Sequence, residues 1–212
     1  NILEQFGKKV GLIGTIHNMI CDKVVPTENT TPDAHELHRV FREMVDAGCD
    51  CVVMEVSSQG LMLHRTAGIP FEIGIFTNLG EDHIGPNEHA DFEDYKRCKG
   101  LLFKQCKLGI VNVDDAHFAD VFKEATCKIE TFGFSENADL RATDVKLVST
   151  PGHLGVAYKA SGLMDFDVEI DIPGNINPWI GNLCEASEEI RDYVESFDLS
   201  GFRIEIETDN ME

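Results

Sequence analysis

Lys99 falls where a lysine is costly. If residues 91 to 106 form one helix, its apolar stripe is Phe92, Tyr95, Leu102, Phe103 and Cys106. Lys99 lies on that stripe, four residues after Tyr95 and four before Phe103. Burial disfavours the ammonium, and the neutral amine that remains is a nucleophile. Such an amine can add to CO₂ and become a carbamate, turning a cation into a carboxylate-like metal ligand. The competing reading stays open at this point: the stem packs on the stripe and the ammonium reaches water.

Three apolar runs end in groups that could share work with such a ligand. They are Glu55-Val56-Ser57-Ser58, Thr77-Asn78 with Asp82-His83 just beyond, and Asp114-Asp115. A glutamate and a histidine from neighbouring strand ends can hold one divalent cation, and an oxygen-rich set favours Mg²⁺. Taken alone, a strand-end glutamate is more often a cap or a surface group. His35 and His38 sit off the apolar stripe of an earlier helix, while His17, His89, His117 and His153 have no partner visible in the sequence. The seven cysteines form no CxxC pair, which reads as free-thiol usage in a reducing compartment; Cys49 and Cys51 read as small apolar residues opening a strand.

The elements that must position these groups alternate. Lys9 to Gly14, Cys51 to Met54, Phe71 to Leu79, Lys107 to Val113 and about Ile129 to Phe134 read as buried strands. Helices are expected between them. One starts with Thr31 as N-cap and Pro32 at N1, carries Leu37, Val40, Phe41, Met44 and Val45 on one face, and closes at Gly48. Others are expected over Gln59 to Ala67, Asp91 to Cys106 and Ala116 to Ala125, with an irregular polar connection from the first strand to Thr30 and the end of an amphipathic helix at Ile2, Leu3 and Phe6. This pattern predicts an α/β fold: a doubly wound, mostly parallel sheet with helices on both faces. Beyond about Asn137 the period changes to two over Leu140 to Val148, Gly155 to Lys159 and Met164 to Ile172, a small antiparallel meander appended to the main sheet.

In open sheets of this kind ligands gather at the carboxyl ends of the strands, which is where the polar groups above would lie. A net charge of −20 argues against nucleic acid or an anionic membrane as partner, and phosphate chemistry would need a bridging cation. The longest apolar runs fall far short of the ~20 residues a membrane-crossing helix needs. Residues 182 to 212 hold ten acidic side chains against Arg191 and Arg203, and read as an acidic helix (Glu185 to Phe197) and a short strand (Phe202 to Glu207).

Four segments in order resemble one family. They are Asn29-Thr30-Thr31-Pro32; Met54-Glu55-Val56-Ser57-Ser58 with Arg65; Phe76-Thr77-Asn78-Leu79 with Asp82-His83; and Tyr95 to Lys99 running into Leu101-Leu102-Phe103. Together they resemble the central domain of the Mur-type amide ligases that add the third amino acid, lysine or diaminopimelate, to the peptidoglycan stem peptide. The resemblance covers residues 1 to 175 as the ATP-dependent central domain and leaves 176 to 212 as an acidic tail without a role. It implies ATP and Mg²⁺ as cofactors, a UDP-N-acetylmuramoyl dipeptide and a diamino acid as substrates, and a cytoplasmic monomer. It implies that Glu55, His83 and carbamylated Lys99 hold the metal and serve catalysis, that Asn29, Thr30, Thr31, Ser57 and Arg65 contact the dipeptide substrate, and that Asn78 and Asp82 lie on the nucleotide side.

The sequence departs from the family pattern in places. No Gly-rich phosphate loop precedes the first helix, so the sequence reads as a piece of a longer chain, inactive alone, with a gap and an exposed edge in its sheet. Gln59 and Leu63 stand where the family often has histidine and glutamine, so neither is carried over, and Asn175-Ile176-Asn177-Pro178 only partly echoes the family's continuation. Two alternatives remain beside this reading: a ligase of the folylpolyglutamate synthetase type, and a non-catalytic module that binds the nucleotide-sugar peptide.

Overall fold

Cys51 to Met54 is apolar throughout because it is covered on both sides, and in the computed structural model of the protein it is strand β4 (Cys51–Met54) of one large sheet. The structure describes residues 2–80, 84–86, 88–150, 153–171 and 203–206. Around β4 stand β1 (Val10–Ile13), β5 (Phe71–Phe76), β6 (Cys106–Asn112), β7 (Lys128–Gly133) and β8 (Leu140–Thr150). With β2 (Asn18–Ile20), β3 (Lys23–Val25), β9 (His153–Gly162), β10 (Phe166–Asp171) and β11 (Arg203–Ile206), the order is β10-β9-β8-β7-β6-β5-β11-β4-β1-β2-β3. From β8 to β1 every neighbouring pair is parallel, and the antiparallel pairs lie at the two margins. The fold is therefore the expected α/β arrangement with its antiparallel meander, and the meander continues the main sheet through β7 and β8.

Several expectations need correction. The segment before Thr30 is not irregular: β2 and β3 form a hairpin, with Cys21 at φ 51° in its turn. The first long helix, α2 (Ala34–Asp46), begins two residues later than a Thr31 cap predicts, with Asp33 as its N-cap. Thr31 cannot cap it because its hydroxyl is engaged with Ser57 and Glu55. Leu37, Val40, Phe41 and Met44 are buried, but Val45 is 61% exposed. At 3.6 residues per turn, Val45 is rotated about 80° from Leu37, past the margin of the stripe.

The helix expected from Asp91 to Cys106 is shorter. It runs as α4 (Phe92–Gly100), followed by a 3₁₀ turn over Leu102–Lys104, and β6 begins at Cys106. The helices after β4 and β6 shrink likewise to α3 (Ser58–Met62) and α5 (Phe118–Val121). At the start, α1 (Ile2–Gln5) buries Leu3 and is followed by Gly7 at φ 76°. The expected acidic helix lies outside the described residues. The expected strand near the tail is present as β11, and it stands between β4 and β5.

One core holds the layers together. Ile13, Met54, Phe71, Phe76 and Val111 from the sheet pack with the α2 stripe, Leu61, Tyr95, Leu102 and Phe103. Contact with the sheet is close enough to dictate glycines: a Cβ at Gly11 would lie 2.5 Å from the Met44 sulfur, and one at Gly109 3.0 Å from Phe103.

Candidate functional site

Because β1, β4, β5, β6 and β7 are parallel, their carboxyl ends share one edge of the sheet. Glu55 follows β4, its backbone N–H donating to Ile13 O at 2.9 Å. Its carboxylate Oε2 accepts from the N–H of Thr15 at 2.8 Å and from the Thr15 hydroxyl at 2.6 Å. Thr15 Oγ1 also lies 3.0 Å from Thr30 Oγ1, so a single threonine ties the acid to the Asn29-Thr30 segment. Gly14 makes room for this: a Cβ there would come within 3.3 Å of the Glu55 carboxyl carbon. Sequence reasoning missed Thr15; its one signal was its place directly after the Gly14 that ends the first buried strand.

Thr31 is fully buried and works as a brace. Its Oγ1 accepts from Ser57 N at 2.8 Å and donates to Glu55 O at 3.1 Å. Arg65 Nη1 donates to Thr31 O at 2.8 Å, and Arg65 Nε pairs with Asp33 at 2.9 Å. Ser57 caps α3, its Oγ accepting from Gly60 N at 3.0 Å. Thus Thr31, Ser57, Arg65 and Glu55 form one cluster, with Thr30 joined to it through Thr15; Asn29 is exposed beside it.

Lys99 retains 1% of its surface, and its Nζ lies 5.1 Å from the centre of the Tyr95 ring, itself fully buried. The ammonium does not reach bulk water, which removes the snorkelling alternative. Lys96, one turn earlier on the same helix, meets Asp120 at 2.8 Å and Glu93 at 2.7 Å, and these two carboxylates hold its pKa above the ordinary lysine value.

At the next strand ends the polar groups serve as struts. Asn112 Nδ2 donates to Thr77 O at 2.8 Å, and Leu79 N donates to Asp115 Oδ2 at 2.8 Å, fixing the turn that presents exposed Asn78. Asp115 also accepts from His117 N, and Asp114 accepts from Phe134 N and Ser135 N, the latter at 3.0 Å. Asp82 and His83 lie outside the described residues. The six cysteines in the described part are free thiols. Cys51 opens β4 as expected, and Cys49 sits with its sulfur 3.6 Å from Cys21; burial first, then the Cys21 hydrogen bond, pushes its thiol up to about 11, away from reactivity.

The wound parallel sheet, with Glu55 braced at the end of β4 and Lys99 buried on α4, can be set against known proteins. Residues 1–187 match the Mur ligase middle domain, and the chain belongs to the Mur ligase family. Among curated relatives, it is 43% identical over 191 residues to UDP-N-acetylmuramoyl-L-alanyl-D-glutamate–2,6-diaminopimelate ligase 1 of Clostridium acetobutylicum, covering 89% of this chain and 39% of that one. It is 42% identical to the corresponding ligase of Clostridium tetani (89% and 38%) and 34% identical to that of Listeria monocytogenes (83% and 37%). A solved structure of such a diaminopimelate ligase superposes with a TM-score of 0.75 at 25% identity, over 94% of this chain and 40% of that one. The chain thus spans about two-fifths of the length of the relatives it matches. Among the described residues, no helix is long and apolar enough to cross a membrane.

Proposed function

We propose that this chain carries the metal- and substrate-contacting half of the central domain of an ATP-dependent ligase. The ligase joins meso-diaminopimelate to UDP-N-acetylmuramoyl-L-alanyl-D-glutamate in cytoplasmic peptidoglycan synthesis. The choice of diaminopimelate over lysine follows the names of the relatives. The observation that carries the site is the burial of Lys99.

In the reaction proposed, a substrate carboxylate oxygen takes the γ-phosphoryl group of ATP as the bond to the bridging oxygen breaks, releasing ADP. The incoming amine then attacks the acyl carbon, phosphate leaves, and the nitrogen gives up a proton to yield the amide. Lys99 prepares the site beforehand: its neutral amine forms a bond to the carbon of CO₂, one carbon–oxygen π bond opens to an oxyanion, and a proton is lost to solvent. Glu55, His83 and the Lys99 carbamate would hold Mg²⁺. The fit rests on donor chemistry, since a carboxylate, a carbamate oxygen and nearby hydroxyls suit a hard cation. When bound, Mg²⁺ neutralises charge on the transferring phosphoryl group.

The chain's own residues do the positioning. Thr15 aims Glu55. Asn29, Thr30, Ser57 and Arg65 contact the muramoyl dipeptide, Thr31 acts mainly by fixing Ser57 and Glu55, and Asn78 and Asp82 face the nucleotide. The 212 residues contain no Gly-rich phosphate loop, so turnover of ATP is expected to need residues beyond them.

Titration calorimetry of the purified chain with UDP-N-acetylmuramoyl-L-alanyl-D-glutamate, a folate and ATP, each separately, tests this reading. Binding of the muramoyl dipeptide and none of the folate is expected. Preference for the folate would move the chain to the folylpolyglutamate synthetase type, and ADP release by the chain alone would contradict its proposed dependence on further residues.

A further inference from the structure

Ser58, His89 and Asp94 form a buried line of polar contacts that the proposed reaction does not use. His89 Nε2 lies 2.9 Å from Ser58 Oγ, and His89 Nδ1 lies 3.1 Å from Asp94 Oδ2. Ser58 is 3% exposed and His89 fully buried. The order serine, histidine, aspartate imitates a nucleophile triad, but an attacking hydroxyl needs a substrate beside it, and this one is sealed in the core. With Cys98 the last two residues also imitate a metal site, all ligand atoms lying within 4.8 Å of one another. That place is already served by a cation: Arg97 Nη2 lies 2.6 Å from Asp94 Oδ1 and 3.4 Å from Cys98 Sγ. Both imidazole nitrogens are also engaged.

What the line does is mechanical. Asp94, whose carboxyl is held below the ordinary range by Arg97 and then by His89, is ionised and can only accept. Nδ1 therefore carries a proton towards Asp94, and Nε2 shares a hydrogen bond with the Ser58 hydroxyl. Ser58 opens α3, three residues after Glu55, and Asp94 lies in the first turn of α4, five residues before Lys99. The imidazole also packs on Tyr95, ring centres 5.0 Å apart, and the Lys99 amine lies 5.1 Å from the centre of the same Tyr95 ring. Apolar packing between α3 and α4 is non-directional and tolerates sliding, whereas two buried hydrogen bonds fix an offset.

We infer that His89 is a positioning residue: by bridging Ser58 to Asp94 it sets the spacing between Glu55 at the end of β4 and Lys99 on α4. The inference rests on the proposed metal role of those two residues. Ser58→Ala removes one end of the bridge, and His89→Asn keeps a donor towards Asp94 while losing the reach to Ser58. Mn²⁺, detected by paramagnetic resonance, stands in for Mg²⁺ and is titrated into the full chain below the melting transition of every variant.

Both variants are expected to bind Mn²⁺ roughly 10-fold or more weakly, the scale for groups that orient metal ligands. Val40→Ala, which removes core methyl groups from α2, is expected to lower the melting transition and leave Mn²⁺ affinity alone. If Ser58→Ala and His89→Asn lower only the melting transition, as Val40→Ala does, the inference is overturned. If the unaltered chain takes up no Mn²⁺, the metal reading fails, and reductive methylation decides the positioning claim. Faster labelling of Lys99 in both variants, with exposed Lys107 unchanged, supports it, and equal labelling overturns it.

Discussion

Thr15 shows how much of a site can depend on one hydroxyl outside any motif. It contributes two of the contacts to the Glu55 carboxylate and the link from there to Thr30. Thr15→Val has nearly the same shape, keeps the backbone N–H bond and deletes the other two contacts. We expect it to weaken Mn²⁺ binding about 10-fold while costing no more than about 1 kcal/mol of stability, the net worth of a hydrogen bond near solvent. Parallel Mn²⁺ titration and urea unfolding check both parts; unaltered affinity would show that Glu55 needs no such support. Lys99 was legible in the sequence because helical period alone sets it on a stripe with Tyr95 and Phe103. Thr15 and His89 were not, because their partners lie 40 and 31 residues away and only the folded sheet brings them together.

At the scale of elements, the site we propose asks most of α4, which carries Lys99. Asp91 starts it, accepting from Asp94 N at 2.8 Å, and Gly100 ends it against the backbone of α5. A Cβ at Gly100 would lie 2.6 Å from Val121 O, a backbone atom that cannot rotate away. Gly100→Ala therefore sets two effects against each other. Alanine gains up to about 1 kcal/mol of helix propensity. Overpacking costs about 1–3 kcal/mol and here meets main chain, so a net loss of stability is expected in urea unfolding. A stabilised variant would mean that α4 and α5 are not held this close. The same close approach explains why the sequence overstates this helix: the stripe continues through Leu102 and Phe103, but after Gly100 these residues sit in a 3₁₀ turn that leads into β6. Thr31-Pro32 misleads for a related reason, a good capping residue being diverted to a tertiary brace.

For the molecule as a whole, alternation of apolar runs and amphipathic stripes was enough to give the wound sheet and the change to an antiparallel meander. Strand order was not legible, because pairing of distant strands is set by packing. β11 makes this plain, since it comes from the acidic tail and stands between β4 and β5, two strands from the family-matched part. The surplus of acid, a net charge of −20, leaves few cations to meet a triphosphate. In the function we propose, metal ions bound at the strand ends supply that charge, and a buried amine converted to an anion helps to hold them.

That conversion is the central claim, and carbon NMR tests it directly. The chain is equilibrated with ¹³C-bicarbonate and Mg²⁺, with Lys99→Arg as the control. The account predicts a carbamate carbon resonance in the unaltered chain that is absent from Lys99→Arg. A spectrum without that resonance, under conditions where the unaltered chain still binds Mg²⁺, would contradict it.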